Sequence, residues 1–385
     1  MSTSSSAAGK DYHLADPLIR LWSTYMPPDT WKAVKDVLES TWINTGKQEK
    51  ALREKFCERF GFKHLVACTS GTAALRASYA ALGVGPGDEV ISTPYTFIAT
   101  NTAILEQGAT PVFADIQYDT LNMDPASIEA RITKRTKAIV CVHYGGYPCD
   151  MDEIRAIGRA RSIPIIEDSA HAIGSKYKGD YIGVKGDLIT FSLQAIKIIT
   201  SGDGGLIATP NEEWYAKLKK LVWFGVDRED KRTNFLDPLP DTIDMLGFKY
   251  NMNDITATIA LCGLTHFDEP YRIRREIGLR YRKELAQLQK IRLLAYKDDR
   301  ETNFQIFPIH VTNRIAFATH MRNRGIMVNV NNRRNDRYKI FGDGVRDLPN
   351  TARAEEDVIL IPLHAELTPA QVDTIIEAVL AFEKE

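Results

Sequence analysis

A chain of 385 residues, 44% hydrophobic and 26% charged, is long enough for two domains and has the composition of an ordinary soluble globular protein. A formal net charge of −1 gives no basic footprint for nucleic acid or an anionic membrane, and no apolar run approaches the roughly 20 residues of a membrane span. Five cysteines, widely spaced and without a C-x-x-C pair, argue against a disulfide framework or thiolate zinc site and for a reducing, cytoplasmic setting.

Residues 1–10 are rich in Ser and Ala but lack an apolar stretch, which predicts a frayed tail rather than a signal peptide. From about residue 64 the pattern alternates. Leu65–Cys68, Glu89–Thr93, Pro111–Ala114, Ala138–His143, Pro164–Glu167, Leu188–Leu193 and Gly205–Thr209 read as strands, rich in Val and Ile and bounded by Gly, Pro, Asp or Ser. Helices are predicted near 71–82, 98–107, 125–133 and 150–161; the first has Leu75, Tyr79 and Leu82 on one face, Ser70 as its cap and Gly83 at its end. Such alternation predicts an α/β fold with a mostly parallel sheet covered on both faces. Only a glycine-containing turn around 201–204 joins the last two strands, too short for a parallel crossover. The expectation is therefore seven strands, one of them antiparallel.

The texture changes near residue 255. A long amphipathic helix through Tyr271–Leu288, strand-like Gln305–Val311, a helix ending near Gly325, strand-like Ile326–Val330 and Val358–Ile361, and a last helix follow. The last opens on Thr368-Pro369-Ala370-Gln371, a capping box with Pro at the first helical position. The expected division is a large domain over 11–255 and a smaller α+β domain over 256–385.

In a parallel sheet, ligands bind beyond the carboxyl ends of the strands, and four such positions carry candidate chemistry. Thr69-Ser70-Gly71-Thr72-Ala73 opens a helix with small residues, either a plain cap or an anion site at the positive end of the helix dipole. Asp168-Ser169-Ala170-His171 is either a helix cap or a carboxylate and an imidazole aimed at one ligand. Lys197, between Ile196 and Ile198, either snorkels to the surface or is desolvated, which lowers a lysine's pKa and suits it to Schiff-base chemistry. Phe97, in Pro94-Tyr95-Thr96-Phe97, is either core or a ring that stacks on a flat cofactor. Together, an anion site, a carboxylate, a lysine and an aromatic ring on one sheet edge are what pyridoxal 5′-phosphate requires.

These segments, with Gly174, Phe191-Ser192 through Lys197 to Gly204-Gly205, Gly247–Asp254, and Val142-His143 through Cys149–Asp152, resemble the DegT/DnrJ/StrS sugar aminotransferases of the aspartate-aminotransferase fold (PLP fold type I). The resemblance spans about Pro17 to the last helix. It implies that Lys197 forms the Schiff base with pyridoxal phosphate and Asp168 pairs with the pyridine nitrogen. It places His171 near the ring hydroxyl, Gly71, Thr72, Ala73 and Ser192 at the phosphate, and Phe97 against the ring. It implies transfer of an amino group from L-glutamate to a nucleotide-linked keto sugar, a 4-keto-6-deoxyhexose by default. The Gly247–Asp254 segment implies a homodimer with shared active sites, with Lys249 at the neighbour's phosphate.

Two residues depart from the family pattern: Lys249 stands where many members have Asn, and Asp203 where Glu is commoner. Substrate contacts are expected from 223–232 and 329–334, where Arg228 and Arg334 are either diphosphate contacts or solvated surface. Transfer at C3 of the sugar or to a cyclitol ketone are alternatives. A sugar dehydratase of the same family typically has His in place of Lys197. The glycines Gly83, Gly85 and Gly87 follow a helix and precede a strand, the wrong context for a dinucleotide-dependent oxidoreductase. No metal site is expected.

Overall fold

The computed structural model describes residues 19–229 and 243–385; the expected tail and the distal end of the 223–232 loop lie outside the described residues. All seven expected strands form: β1 (His64–Cys68), β2 (Glu89–Ser92), β3 (Thr110–Phe113), β4 (Thr136–Val142), β5 (Ile165–Asp168), β6 (Leu188–Ser192) and β7 (Gly205–Thr209). They make one sheet in the order β1-β7-β6-β5-β4-β2-β3. β7 runs antiparallel to β1 and β6, and the other pairings are parallel.

The strands are near-continuous apolar runs because both faces are covered. Val66, Val140, Ile166 and Ile207 pack on one side with Leu75 and Tyr79 of the helix Gly71–Ala81. Leu65, Ile189 and Leu206 point to the other side, against Phe56 of the helix Lys47–Phe60 and Leu264 of the helix Asp254–Thr265. These two helices, with Thr30–Glu39 and Glu212–Leu221, were not expected from the sequence. Asp254 ties two of them together: its carboxylate accepts the N–H groups of Gly46, Gln48 and Glu49 at 2.9, 3.2 and 3.0 Å, capping the helix Lys47–Phe60 from a distant part of the chain.

A second, three-stranded sheet is antiparallel throughout, in the order β8 (Ile291–Leu293), β9 (Phe307–Val311), β10 (Val358–Ile361). The helices Asp268–Glu284, Arg314–Asn323 and Pro369–Lys384 share a core with this sheet. The capping box forms as expected, with Thr368 Oγ1 accepting from the Gln371 N–H and Gln371 Oε1 from the Thr368 N–H. The expected strand over 326–330 does not form. Ile326 makes a single bridge to Ile19 and Asn329 a single bridge to Leu360, after which the chain turns toward the large sheet. The expected helix over 125–133 is shorter, Pro125–Glu129.

Candidate active site

The carboxyl ends of the parallel strands open into a cavity of about 490 Å³. Gly71, Thr72, Phe97, Asp168, His171, Ser192 and Lys197 all line it, contributed by the segments after β1, β2, β5 and β6. The sheet topology thus brings together residues up to 126 positions apart from Gly71 to Lys197.

Its floor depends on close backbone approach. A Cβ on Gly71 would lie 2.9 Å from Ser192 Cβ, and one on Gly205 would lie 2.2 Å from the Ser70 carbonyl oxygen. Glycine at both positions lets the start of the helix Gly71–Ala81 press against the ends of β6 and β7. Ser70 Oγ accepts the Ala73 N–H at 3.0 Å. Ala73 is buried, does not line the cavity and has its N–H engaged in this cap. The Gly71 and Thr72 N–H groups have no acceptor among the described residues, so the helix start still presents free donors and its dipole to the cavity.

Asp168 ends β5 and is 4% exposed. Thr100 Oγ1 donates to its Oδ2 at 2.8 Å and the Ala170 N–H to its Oδ1 at 3.1 Å. Burial raises its carboxyl above the ordinary aspartate value, against the hydrogen bonds from Thr100 and Ala170 and the nearby Lys197 charge. An ionised Asp168 in this position is therefore one that a cation in the cavity would favour.

Lys197 follows β6 in a segment of irregular turns. Its Nζ makes no hydrogen bond or ion pair among the described residues. Desolvation brings its pKa down to about 8, with Asp168 opposing the shift and Arg274 adding to it. His171 has a buried Nδ1 without a partner, and burial holds its imidazole neutral, well below the usual histidine value. Phe97 is 66% exposed, a large ring that faces the cavity instead of joining the core.

These orphaned groups are what a bound molecule with an anionic tail, a hydrogen-bonding edge and a flat ring would satisfy. The comparisons with known proteins give the family. The sequence model of the DegT/DnrJ/EryC1/StrS aminotransferase family matches residues 26–380. The chain belongs to this family.

The structure agrees. The sugar aminotransferase CalS13 from Micromonospora echinospora superposes with a TM-score of 0.90 at 32% identity, over 94% of this chain and 100% of that one. The aminotransferase TlmJ from Streptoalloteichus hindustanus gives 0.89 at 30% identity, over 96% and 100%. Spr1654 from Streptococcus pneumoniae, solved in a PLP-form, gives 0.87 at 29% identity, over 95% and 99%. As a DegT-family protein the chain is a transaminase of PLP fold type I.

Other residues with expected roles lie elsewhere. Lys249 is outside the cavity, hydrogen-bonded to Asn251 Oδ1 with its ammonium 4.2 Å from the centre of the Trp223 ring. Arg228 stacks on the same ring at 4.7 Å. Arg334 is neither a cavity residue nor solvated surface: it is 1% exposed, and Nε and Nη2 pair with the two Asp336 oxygens at 2.7 and 2.8 Å. Its neighbours Asn331 and Asn332 reach the cavity instead. The sequence reading also passed over Thr100, although it sits on the first turn after the cleft-facing Thr96-Phe97 pair, and Tyr144, which lies two residues past the end of β4 and lines the cavity.

Proposed function

We propose that this transaminase uses pyridoxal 5′-phosphate to move an amino group from L-glutamate onto a nucleotide-linked keto sugar, with Lys197 as the cofactor-bearing and proton-moving residue. The observation that carries the reading is the partnerless Lys197 amine, brought down to about 8, in one cavity with Asp168 and the orphaned His171 Nδ1. The residues fit the cofactor. The Gly71 and Thr72 N–H groups and Ser192 Oγ would hold the phosphate, Asp168 the protonated ring nitrogen, His171 Nδ1 the ring hydroxyl, and Phe97 the face of the ring. When bound, pyridoxal phosphate supplies an aldehyde for the amine and a ring that withdraws electrons from the carbon losing a proton.

Lys197 Nζ has two tasks. Neutral, it is a nucleophile; freed by the incoming amino acid, it is the base that takes the donor's α-proton and holds it within the cavity. At pH 7 an amine with a pKa of about 8 has about 300-fold more neutral form than an unperturbed lysine. Asp168 contributes a fixed negative charge, oriented by Thr100 Oγ1 and the Ala170 N–H before any ligand arrives. Asn331 and Asn332, which also line the cavity, supply neutral amides of the kind that suit sugar hydroxyls.

A homodimer belongs to this reading. Trp31, Trp42 and Leu246 are 82%, 62% and 94% exposed, the last within the loop that carries Lys249, and large apolar residues left in water favour a second copy as cover. Lys249 would then serve the partner's phosphate. The expected setting is cytoplasmic. The test is to add L-glutamate to the cofactor-loaded protein, follow release of 2-oxoglutarate, and then titrate a panel of nucleotide keto sugars at C4 and C3. A sugar of this class should restore the starting spectrum; a protein that passes the glutamate step but answers only to cyclitol ketones would overturn the sugar assignment.

A further inference from the structure

Lys197 lies in a segment without regular structure, so the direction of its side chain depends on what holds the backbone there. Some of that hold is local, with the Lys197 N–H on the Gln194 carbonyl at 2.9 Å, the Ile196 N–H on Gln194 Oε1 at 3.1 Å and Thr24 Oγ1 on the Ala195 carbonyl at 2.9 Å; the rest comes from outside the large sheet. Gln305, 1% exposed and just ahead of β9, donates from Nε2 to the Ile196 carbonyl at 2.8 Å and accepts the Ile198 N–H on Oε1 at 3.3 Å. One carboxamide thus pairs with both neighbours of Lys197, as an adjacent strand would.

Behind Gln305 lies Arg274, on the helix Asp268–Glu284 and 4% exposed. Its Nη1 donates to the carbonyls of Phe304, Gln305 and Leu363 at 3.3, 3.1 and 3.4 Å, and its Nε has no partner. Arg274 has no ion pair among the described residues. Burying a guanidinium without a carboxylate is costly, and an apolar side chain would pack there at less expense. The charge acts on its surroundings. Burial is the largest influence on the Lys197 amine; of the charged groups that act on it, Asp168 favours its ammonium form and Arg274 disfavours it. His171, in the same cavity, is neutral.

We infer that Arg274 and Gln305 are positioning residues for Lys197: Gln305 fixes where its side chain points, and Arg274, a cation without a counter-ion, opposes a second positive charge at its Nζ. The inference rests on the reading of Lys197 as the reactive amine. It makes the second, smaller sheet unit part of how the amine is prepared, although neither residue touches the cavity's contents.

The test separates the two. Cofactor-free, full-length protein is labelled with trace acetic anhydride over a pH series, and acetylation of Lys197 is read by mass spectrometry, which reports amine protonation without cofactor or turnover. The Lys197 midpoint should lie well below that of surface lysines. Arg274→Met should raise it by roughly a few tenths of a pH unit, so that labelling at a given pH falls about twofold. Arg274→Lys, which keeps the charge, should hold the low midpoint. Gln305→Leu should leave the midpoint in place and slow the appearance of the visible adduct with pyridoxal phosphate. An unaltered protein whose Lys197 titrates like a surface lysine overturns the Arg274 role, as does an unmoved midpoint in folded Arg274→Met or a raised one in Arg274→Lys. Wild-type adduct kinetics in Gln305→Leu overturn the Gln305 role. Should Arg274→Met not fold, Arg274→Gln, which removes the charge and keeps donors for the three carbonyls, takes its place with the same expected and overturning outcomes. A low midpoint with no adduct at all would instead defeat the functional reading and leave this inference standing.

Discussion

At the scale of single residues, the site is a set of polar groups placed out of water before anything arrives to satisfy them. Asp168 is the clearest case, because burial works against its charge while two donors hold its oxygens in place. Asp168→Asn keeps the size and loses the charge. We expect it to retain the lysine adduct and to slow turnover by at least about a hundredfold, measured as single-turnover release of 2-oxoglutarate; a near-normal rate would show that no ring nitrogen depends on it. Lys197 makes a complementary prediction about stability. Its folded pKa of about 8 lies below the ordinary 10.5, so between these values the unfolded chain binds more protons than the folded one. The contribution of this group to the stability of the cofactor-free protein therefore rises as pH increases through that window. Urea midpoints against pH should show the rise in the wild type and its absence in Lys197→Met, which should also be the more stable of the two at neutral pH. Parallel curves for the two proteins would contradict the burial of a charge-sensitive amine.

At the scale of elements, the helix Gly71–Ala81 matters through where it starts. Gly71→Val places side-chain carbon where Ser192 already lies, 2.9 Å away at the Cβ alone, and should push the helix start off the end of β6. Cofactor affinity is expected to fall at least about tenfold, near 1.4 kcal/mol, with the adduct still able to form at high cofactor concentration; unchanged affinity by fluorescence titration would remove the phosphate assignment from this helix. The seven strands were legible because doubly covered strands are plain runs of β-branched residues. The same signal misled at 326–330, where an Ile/Val run meets only single bridges before the chain turns to bring Asn331 and Asn332 to the cavity. The helix Lys47–Phe60 was missed for the opposite reason. Its charged residues hide an apolar stripe of Leu52, Phe56 and Phe60, spaced four apart and fully packed. The Lys197, Asp168, His171 and Phe97 positions could be found from strand ends alone. Gln305 could not, since its partners are 107 and 109 residues away and nothing local marks it.

At the scale of the whole molecule, the proposed homodimer has its own test. Lys249 sits away from the Lys197 cavity and stacks on Trp223, while Trp31, Trp42 and Leu246 remain in water. We expect a dimer by light scattering. Trp31→Glu with Leu246→Glu should produce a folded monomer with weakened cofactor binding; a wild-type monomer with full activity would end the shared-site reading. The central claim, however, is one covalent bond. Full-length protein loaded with pyridoxal phosphate should be reduced with borohydride, digested and mapped. The account predicts the reduced adduct on the peptide containing Lys197, and no adduct in Lys197→Ala; a modified lysine elsewhere, or none, would contradict it.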